Sequence, residues 1–346
     1  MHFMPTSRTG NGPNDVVDLD RLLAYLRDVR LIDSASGSLT PIGDGHSNLT
    51  YLLRTDRGEW VLRRPPLGSI ASSTHDVLRE ARILSRLDGR ARAPRVWHVC
   101  ERLDVIGASF YLMEYVPGVV LVDALPHYWD FELSAPIVAS EFVDALVELH
   151  DIDWRLDGFE GIGKPSGYLV RQLSRFDGLW RDGDVSAVPL IGELHRWLVR
   201  GLPSDSDSTV VHGDYRLGNV LFNTEEPVRL AAVLDWEMAT VGDPLADVGF
   251  MTVLWASPPS RFDVNPVTRR SEFPEADDLA HRYALRAARD LRNLRWYQVL
   301  ALWKLAVIME RNHRRALKGM SDDPLLLSFH GGVEELAQRG WDIATA

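Results

Sequence analysis

The sequence contains a single cysteine, Cys100. It therefore cannot form an internal disulfide, which favours the reducing conditions of a cytoplasm. It has no excess of positive charge either, because 38 lysines and arginines stand against 49 acids and give a net charge of −11. Such a balance repels a phosphate backbone and argues against nucleic acid as the main partner.

Long apolar runs are also missing. The most apolar late stretch, residues 297–309, is short and contains Lys304, so we expect no membrane span. The first thirty residues lack the basic start and apolar core of a signal peptide. These absences predict a cytoplasmic globular protein, and they leave its oligomeric state open.

What is present divides the chain near residue 117. Residues 1–14 are rich in Pro, Gly and Asn and predict a mobile leader. Two strands around the turn 56–58 predict a hairpin, and residues 73–87 predict a helix capped by Ser73 or Thr74. After Pro117 and Gly118 the apolar spacing becomes helical, including one helical region over 276–317. We therefore predict a small sheet lobe over 1–116 and a larger, mainly helical lobe over 117–346.

The strongest chemical signal is the segment HGDYRLGN, in which Asp214 and Asn219 lie five residues apart between apolar runs. A second acid, Asp235, ends another apolar run. Phosphoryl transfer from ATP needs a carboxylate that receives the proton of the attacking hydroxyl, and oxygen ligands that hold Mg²⁺ against the phosphates. Asp214 can do the first, and Asn219 with Asp235 can do the second. Taken singly, each residue also fits an ordinary turn or helix cap.

Two other kinds of phosphate chemistry fit less well. Residues 158–164 have the spacing of a P-loop, but Pro165 stands where the magnesium-binding hydroxyl should be. The stretch after Asp235 is too short for the peptide-docking activation segment of a protein kinase. We therefore favour neither a P-loop NTPase nor a protein kinase.

The segments HGDYRLGNVLF, VLDWE and GDPLADVG closely resemble the aminoglycoside phosphotransferase-like kinases, which are relatives of protein kinases. The resemblance covers about residue 40 to about residue 320. It implies an α+β, protein kinase-like bilobal fold with a small antiparallel-sheet lobe, and an ATP- and Mg²⁺-dependent kinase that phosphorylates a hydroxyl of a small molecule. It further implies that Asp214 is the catalytic base, that Asn219 and Asp235 bind the metal, and that Asp247 braces the loop while His212 is structural.

The resemblance also implies a nucleotide-binding set in residues 1–116. A loop would cover the phosphates, an ion pair would hold a cation against them, and a linker backbone would bind adenine. These residues are Gly45, Ser47 and Asn48 in the loop, Arg63 and Glu80 in the ion pair, and Met113, Glu114 and Val116 in the linker. Ordinary turns explain the loop and the linker almost as well. Arg63 replaces the usual kinase lysine, so a nucleotide-binding regulator with little transfer activity stays an alternative.

The identity of the acceptor is the least determined part. Residues 261–320 carry thirteen basic and seven acidic side chains, with stripes at 282, 286 and 289 and at 311, 314, 315 and 318. If these stripes face the acceptor, they favour an anionic compound over an aminoglycoside; otherwise they are solvated helix faces. The stretches GHSNLTYLL and VLRRPP resemble the kinase part of acyl-CoA dehydrogenase-associated proteins, which implies a hydroxyacyl-CoA. By the same resemblance, Tyr168, Arg171 and Gln172 are candidate acceptor contacts.

Overall fold

The structure is a computed structural model that describes residues 17–43, 48–66, 76–156, 158–181, 188–204, 207–259, 264–319 and 330–346. The chain divides into two compact units. The first comprises the described residues of Met1–Asp88 together with Ala93–Val116, and the second comprises Gly89–Arg92 and the described residues of Pro117–Ala346. The predicted leader 1–14, Gly45, Ser47 and the predicted caps Ser73 and Thr74 lie outside the described residues.

The first unit is built on a five-stranded antiparallel sheet in the order β1-β2-β3-β5-β4. Its strands are β1 (Gly37–Pro41), β2 (Leu49–Thr55), β3 (Gly58–Arg64), β4 (Val96–Cys100) and β5 (Phe110–Glu114), and its helices are α1 (Leu19–Asp28), α2 (Val77–Leu87) and α3 (Leu103–Ile106). The β2–β3 hairpin forms where the sequence predicts it. Gly58 closes its turn at φ +122°, a backbone conformation that glycine adopts without steric cost.

The two faces of this sheet have different roles, because successive side chains of a strand point to opposite sides. Tyr51, Leu53 and Leu62 face one way and join a core with residues of α1 and α3. On the other face, Val61 pairs with Met113 and Arg63 pairs with Tyr111. Near this sheet, α2 packs against β4 and β5, and its cap is Asp76, whose carboxylate accepts the Arg79 N–H at 2.8 Å. The sheet register therefore places Arg63 and Met113 on one surface.

The second unit is mainly helical. Its helices are α4 (Phe131–His150), α5 (Tyr168–Arg181), α6 (Leu190–Arg200), α7 (Leu245–Leu254), α8 (Ala276–Ala287), α9 (Leu294–Leu317) and α10 (His330–Thr345), and its strands are β6 (Thr209–Val211), β7 (Val220–Phe222), β8 (Leu230–Val233) and β9 (Thr240–Gly242). Helix α9 is central, since it packs against α5, α6, α7 and α10. No helix in the described ranges is long and apolar enough to cross a membrane.

The predicted helical region over 276–317 is interrupted. Helix α8 ends at Ala287, and Ala288 adopts a left-handed conformation with φ 49°, so the chain cannot continue as one α-helix. Beside the break, the Arg289 guanidinium donates to the carbonyl oxygen of His150 at 3.3 Å. The change of direction is thus accompanied by a contact with α4, which lies more than a hundred residues earlier in the chain. The local spacing of apolar residues carries no information about such a contact.

The basic stripes are partly used in packing between helices. Arg282 and Arg286 of α8 both form ion pairs with Asp144 of α4, at 2.7 and 3.5 Å. Arg314 of α9 donates to the carbonyl oxygen of Trp180 at 2.9 Å. These arginines connect neighbouring helices. The sequence suggested either a solvated helix face or a stripe that faces the acceptor, and neither interpretation describes them fully.

Candidate active site

Two strand pairings bring the segments that contain Asp214 and Asp235 together in the second unit. The segment containing Asp214 connects β6 to β7, and Asp235 follows β8 after one residue. Strand β6 pairs with β9, and β7 pairs with β8. The backbone extends this pairing, because the Leu234 N–H donates to the Asn219 carbonyl oxygen at 2.8 Å. Asp235 is therefore held beside the end of the Asp214 loop.

Asn219 is hydrogen-bonded directly to Asp214. Its amide nitrogen donates to the Asp214 Oδ2 at 2.7 Å and to the Asp214 carbonyl oxygen at 2.9 Å. Both bonds use the amide nitrogen, so neither of them occupies the amide oxygen Oδ1 of Asn219. The loop thus holds a carboxylate and an amide oxygen in a fixed relation.

The Asp214 carboxylate is desolvated but not sealed, since its side chain remains 29% exposed. Burial raises its pKa above the ordinary range. Arg216, whose Nε lies 3.6 Å from Oδ2, together with His212 and the Asn219 hydrogen bond, opposes that rise. A carboxylate with these surroundings is a stronger proton acceptor than an exposed one. Arg216 had no role in the sequence-based prediction, although its position two residues after Asp214 makes it a natural neighbour of that carboxylate.

His212 links the Asp214 loop to the Asp235 segment. Its Nδ1 accepts the Asp214 backbone N–H at 3.2 Å, so its Nε2 carries the hydrogen that is donated to the Leu234 carbonyl oxygen at 2.9 Å. Its ring also packs edge-on against Trp236, with centroids 4.8 Å apart. These contacts make His212 a structural residue, as the family resemblance implies.

Asp235 itself has an unusual backbone conformation. Its φ is 62° and its ψ is 68°, in the left-handed region that aspartate tolerates better than most residues. The chain then turns into a short 3-10 helix, Trp236–Met238, and the Trp236 indole N–H donates to the Val233 carbonyl oxygen at 2.9 Å. The strained residue lies where the motif places a metal ligand, a common location for such conformations.

Asp247 braces the loop from α7. Its carboxylate accepts the backbone N–H groups of His212 and Gly213 at 2.6 and 2.8 Å. Behind it, His150 of α4 contributes Nε2 at 3.3 Å, and the hydroxyl of Tyr283 lies 2.7 Å from the His150 Nδ1. Sequence reasoning identified Asp247 but missed His150 and Tyr283, which carry no motif and are brought here by helix packing.

The protonation states within this brace follow from its surroundings. Burial favours the neutral form of Asp247, but the hydrogen bonds from His150 and from the loop backbone hold its pKa below the ordinary range. Burial also lowers the pKa of His150. The brace is therefore an aspartate anion beside a neutral imidazole.

The oxygen donors fit a magnesium ion. Among the described residues, no group of three or more His, Cys, Asp or Glu side chains could hold a metal by itself. Asn219 and Asp235 instead offer an amide oxygen and a carboxylate. Magnesium is commonly bound by one or two protein oxygens and completes its octahedral shell with phosphate oxygens and water.

In the first unit, the predicted nucleotide residues lie along β3, β5 and the start of β2. Arg63 Nε lies 2.9 Å from Glu80 Oε2, and the two side chains are 14% and 2% exposed. This is the ion pair that the resemblance implies. Asn48 is buried just before β2, and both polar atoms of its amide lack a hydrogen-bond partner among the described residues. An orphaned buried amide is the kind of group that a ligand or water satisfies.

The linker residues are placed at the end of β5. Met113 and Glu114 are its last two residues, and Val116 follows outside the strand. The Glu114 N–H donates to the Arg95 carbonyl oxygen at 2.8 Å, so it is not available to an adenine ring. Any adenine contact through Glu114 would therefore use its carbonyl oxygen.

Comparison with known proteins places this site in a family. A sequence profile of the phosphotransferase enzyme family, APH, matches residues 38–297. Acyl-CoA dehydrogenase family member 10 of Mus musculus is 32% identical over 309 residues, and member 11 of Gallus gallus is 31% identical over 320 residues. The matches cover 87% and 89% of this chain but only 28% and 40% of those proteins. The chain thus spans less than half the length of these relatives.

Solved structures extend the match to the fold. A Ralstonia eutropha protein, provisionally assigned as an aminoglycoside phosphotransferase, is 28% identical with a TM-score of 0.81, covering 95% of this chain and 99% of that one. The complex of APH(2″) with GDP and kanamycin is 18% identical with a TM-score of 0.61, covering 92% of this chain and 98% of that one. The chain belongs to the APH phosphotransferase family and has its protein kinase-like fold.

Proposed function

We propose that the protein is an ATP- and Mg²⁺-dependent kinase that transfers the γ-phosphate to a hydroxyl of a small molecule. One observation carries the proposal: hydrogen bonds join Asn219 to Asp214 and to the residue that precedes Asp235. The Asn219 side-chain amide donates to the Asp214 carboxylate at 2.7 Å. The backbone carbonyl oxygen of Asn219 accepts the N–H of Leu234, the residue before Asp235, at 2.8 Å. Phosphoryl transfer relies mainly on such positioning and on charge stabilisation.

The roles follow from the chemistry of each group. Asp214 orients the acceptor hydroxyl and receives its proton while the acceptor oxygen forms a bond to the γ-phosphorus. The bond between that phosphorus and the bridging oxygen breaks, and its electrons leave with ADP. Asn219 and Asp235 would hold Mg²⁺, which would supply positive charge against the phosphates. Arg63, held by Glu80, supplies positive charge to the nucleotide, and Asn48 donates to its phosphates.

For the acceptor, we propose an anionic hydroxy compound, either a hydroxyacyl-CoA or a hydroxy acid, rather than an aminoglycoside. The curated relatives at about 30% identity carry the name of acyl-CoA dehydrogenase family members. The match to an aminoglycoside enzyme holding kanamycin, at 18% identity, supports only the fold. The electrostatic argument for an anion is developed below.

Radiolabelled transfer from Mg-ATP tests the proposal. The full chain is incubated with aminoglycosides, hydroxyacyl-CoA thioesters and simple hydroxy acids, and phosphorylated products are separated and counted. We expect Asp214→Asn to lower the turnover by about a thousandfold while nucleotide binding is kept, because only the proton acceptor is removed.

The matched control is Asp290→Asn, which neutralises an exposed acid between α8 and α9 that pairs with Arg292. Normal turnover in Asp214→Asn would refute the catalytic role. Nucleotide binding without transfer to any acceptor would favour the regulator alternative.

A further inference from the structure

Lysine is rare in this chain. Of the 38 basic residues only three are lysines, at positions 164, 304 and 318. Lys164 and Lys318 are exposed. Lys304 differs from both, because it lies in the middle of α9 and is partly buried. A buried ammonium is costly unless a partner of opposite charge compensates it.

Lys304 lines a small pocket beside the catalytic loop. Gly213, which directly precedes Asp214, and Asp247 form part of the wall, together with Tyr168 of α5. The remaining lining is apolar or small: Ala246, Phe250, Leu300 and Ala301. The pocket therefore combines the Lys304 cation and the already hydrogen-bonded Asp247 carboxylate with apolar side chains, next to the residue that would receive the acceptor's proton.

The Lys304 ammonium has an aromatic contact rather than an ion pair. Its Nζ lies over the Phe176 ring, 4.8 Å from the centroid, and in the described part of the chain no carboxylate lies within ion-pair distance of it. Asp247 attracts it from a greater distance, but the Asp247 oxygens already accept bonds from His212, Gly213 and His150. The charge of Lys304 is thus left with attraction but without a bonded anion.

The pKa of Lys304 agrees with a partly buried ammonium that has no ion-pair partner within the described residues. Burial lowers the pKa of Lys304 to about 8, and the charge of Arg175 on α5 acts in the same direction. The carboxylates of Asp247 and Asp214 oppose the shift. An anionic ligand would stabilise the charged form and relieve the cost of burial.

We infer that Lys304 determines the specificity for the acceptor by binding an anionic oxygen, such as a carboxylate, that lies close to the reacting hydroxyl. The inference rests on the proposed kinase function and narrows its acceptor class to hydroxy acids, because the acyl carboxyl of a hydroxyacyl-CoA is a neutral thioester. Gly213, which directly precedes Asp214, lines the same pocket as Lys304, so the inference places acceptor atoms that neighbour the reacting hydroxyl at this wall. A polycationic acceptor meets repulsion at the same wall. The arginine stripes do not replace Lys304, because Arg282, Arg286 and Arg314 already bind groups on other helices.

Matched acceptors isolate this contact. Each of 2-, 3- and 4-hydroxybutyrate is compared with its neutral amide in steady-state transfer from Mg-ATP, using wild type, Lys304→Met and Lys304→Arg. We expect Lys304→Met to raise KM for the best carboxylate by about tenfold or more, the effect of one charge-assisted hydrogen bond, and to leave KM for its amide nearly unchanged. Lys304→Arg should restore part of the carboxylate preference. The control is Lys318→Met, which removes the same side chain at the exposed end of α9.

A structural role for Lys304 gives a different pattern. If the residue only compensates Asp247, both acceptors lose kcat alike and the melting temperature falls, which would overturn the inference. Should Lys304→Met fail to fold, calorimetric binding to wild type with Mg²⁺ and a non-hydrolysable ATP analogue decides. Tighter binding of the carboxylate supports the site, and equal or tighter binding of the amide rejects it.

The same calorimetry separates this inference from the proposed function. One outcome is that no acceptor is phosphorylated, while the carboxylate still binds to wild type, to Lys304→Arg and to the control Lys318→Met. This outcome would reject the kinase and retain the anion site. Transfer with equal KM for carboxylate and amide would retain the kinase and reject the anion site.

Discussion

At the scale of single residues, the orientation of the Asn219 amide decides what this side chain can bind. Both of its described hydrogen bonds, to the Oδ2 and to the carbonyl oxygen of Asp214, use the nitrogen. An amide donates through nitrogen and accepts through oxygen, so the oxygen is the atom left for a cation. One side chain thus positions the proposed base and supplies a proposed metal ligand.

This dual role predicts the response to Asn219→Ala. The variant loses a metal oxygen and the bond that orients Asp214, so the Mg²⁺ concentration for half-maximal transfer should rise by about tenfold and kcat should fall. Activity is measured as a function of free Mg²⁺ at saturating ATP. Asn293→Ala is the control, because Asn293 is exposed and makes no side-chain bond at the start of α9. An unchanged Mg²⁺ requirement in Asn219→Ala would contradict the assignment.

At the scale of secondary structure elements, β3 and α2 are joined by the Arg63–Glu80 ion pair. Glu80 is almost fully buried, and Arg63 reaches it from the sheet face that also carries Met113. Arginine binds a carboxylate with a planar fork that lysine lacks, so this pair is not equivalent to the usual lysine pair. The element contact fixes where the positive charge of Arg63 lies on that sheet face.

Removing Arg63 should therefore affect stability and nucleotide use separately. Arg63→Met removes the cation that pairs with the buried Glu80 carboxylate and should destabilise the protein by about 3 kcal/mol. The double variant Arg63→Met/Glu80→Leu should regain much of that stability, since both charges are gone. Denaturation curves measure the first effect, and KM for ATP measures the second.

The nucleotide readout distinguishes a functional arginine from a purely structural one. If Arg63 contributes charge to the phosphates, KM for ATP stays raised in the double variant even though stability returns. A double variant with wild-type KM would show that Arg63 has no role in nucleotide binding.

At the scale of the whole molecule, the brace behind the catalytic loop connects α4, α7 and α8 through His150, Asp247 and Tyr283. These groups are buried in a particular protonation state, which couples folding to pH. His150 has a lowered pKa in the folded protein, so the unfolded chain binds its proton more readily. Stability is then lost as the pH falls below the ordinary histidine pKa of about 6.5. Asp247, whose pKa is lowered, adds a second loss below about pH 4.

We expect His150→Gln to flatten the pH dependence of the free energy of unfolding between about pH 7 and pH 5. One proton corresponds to at most about 1.4 kcal/mol per pH unit, so the wild type should lose stability faster than the variant in this window. Urea denaturation at several pH values measures the slopes. His281→Gln, at an exposed position on α8, serves as control. Equal slopes for wild type and His150→Gln would contradict a neutral buried imidazole.

Much of the chemistry and local structure was predictable from the order of residues alone. The HGDYRLGN and VLDWE segments identified the kinase-like fold because identity and spacing of few residues define that chemistry, and the β2–β3 hairpin follows from a local turn. The roles assigned to Asp214, Asn219, Asp235 and the nucleotide residues remain predictions that the experiments above test. The prediction of one helical region over 276–317 was wrong, because the chain breaks at Ala288, where Arg289 contacts the end of α4.

What the sequence by itself determined is the set of side chains proposed to react, because their types and short spacings are local properties. Only the tertiary structure decided which distant groups surround them. The pairings of β6 with β9 and β7 with β8 place Asp235 beside the loop, and helix packing brings His150 to the Asp247 brace and Lys304 to the pocket lined by Gly213. Such contacts join residues tens to more than a hundred positions apart, and their specificity comes from burial and hydrogen bonding that no local pattern encodes.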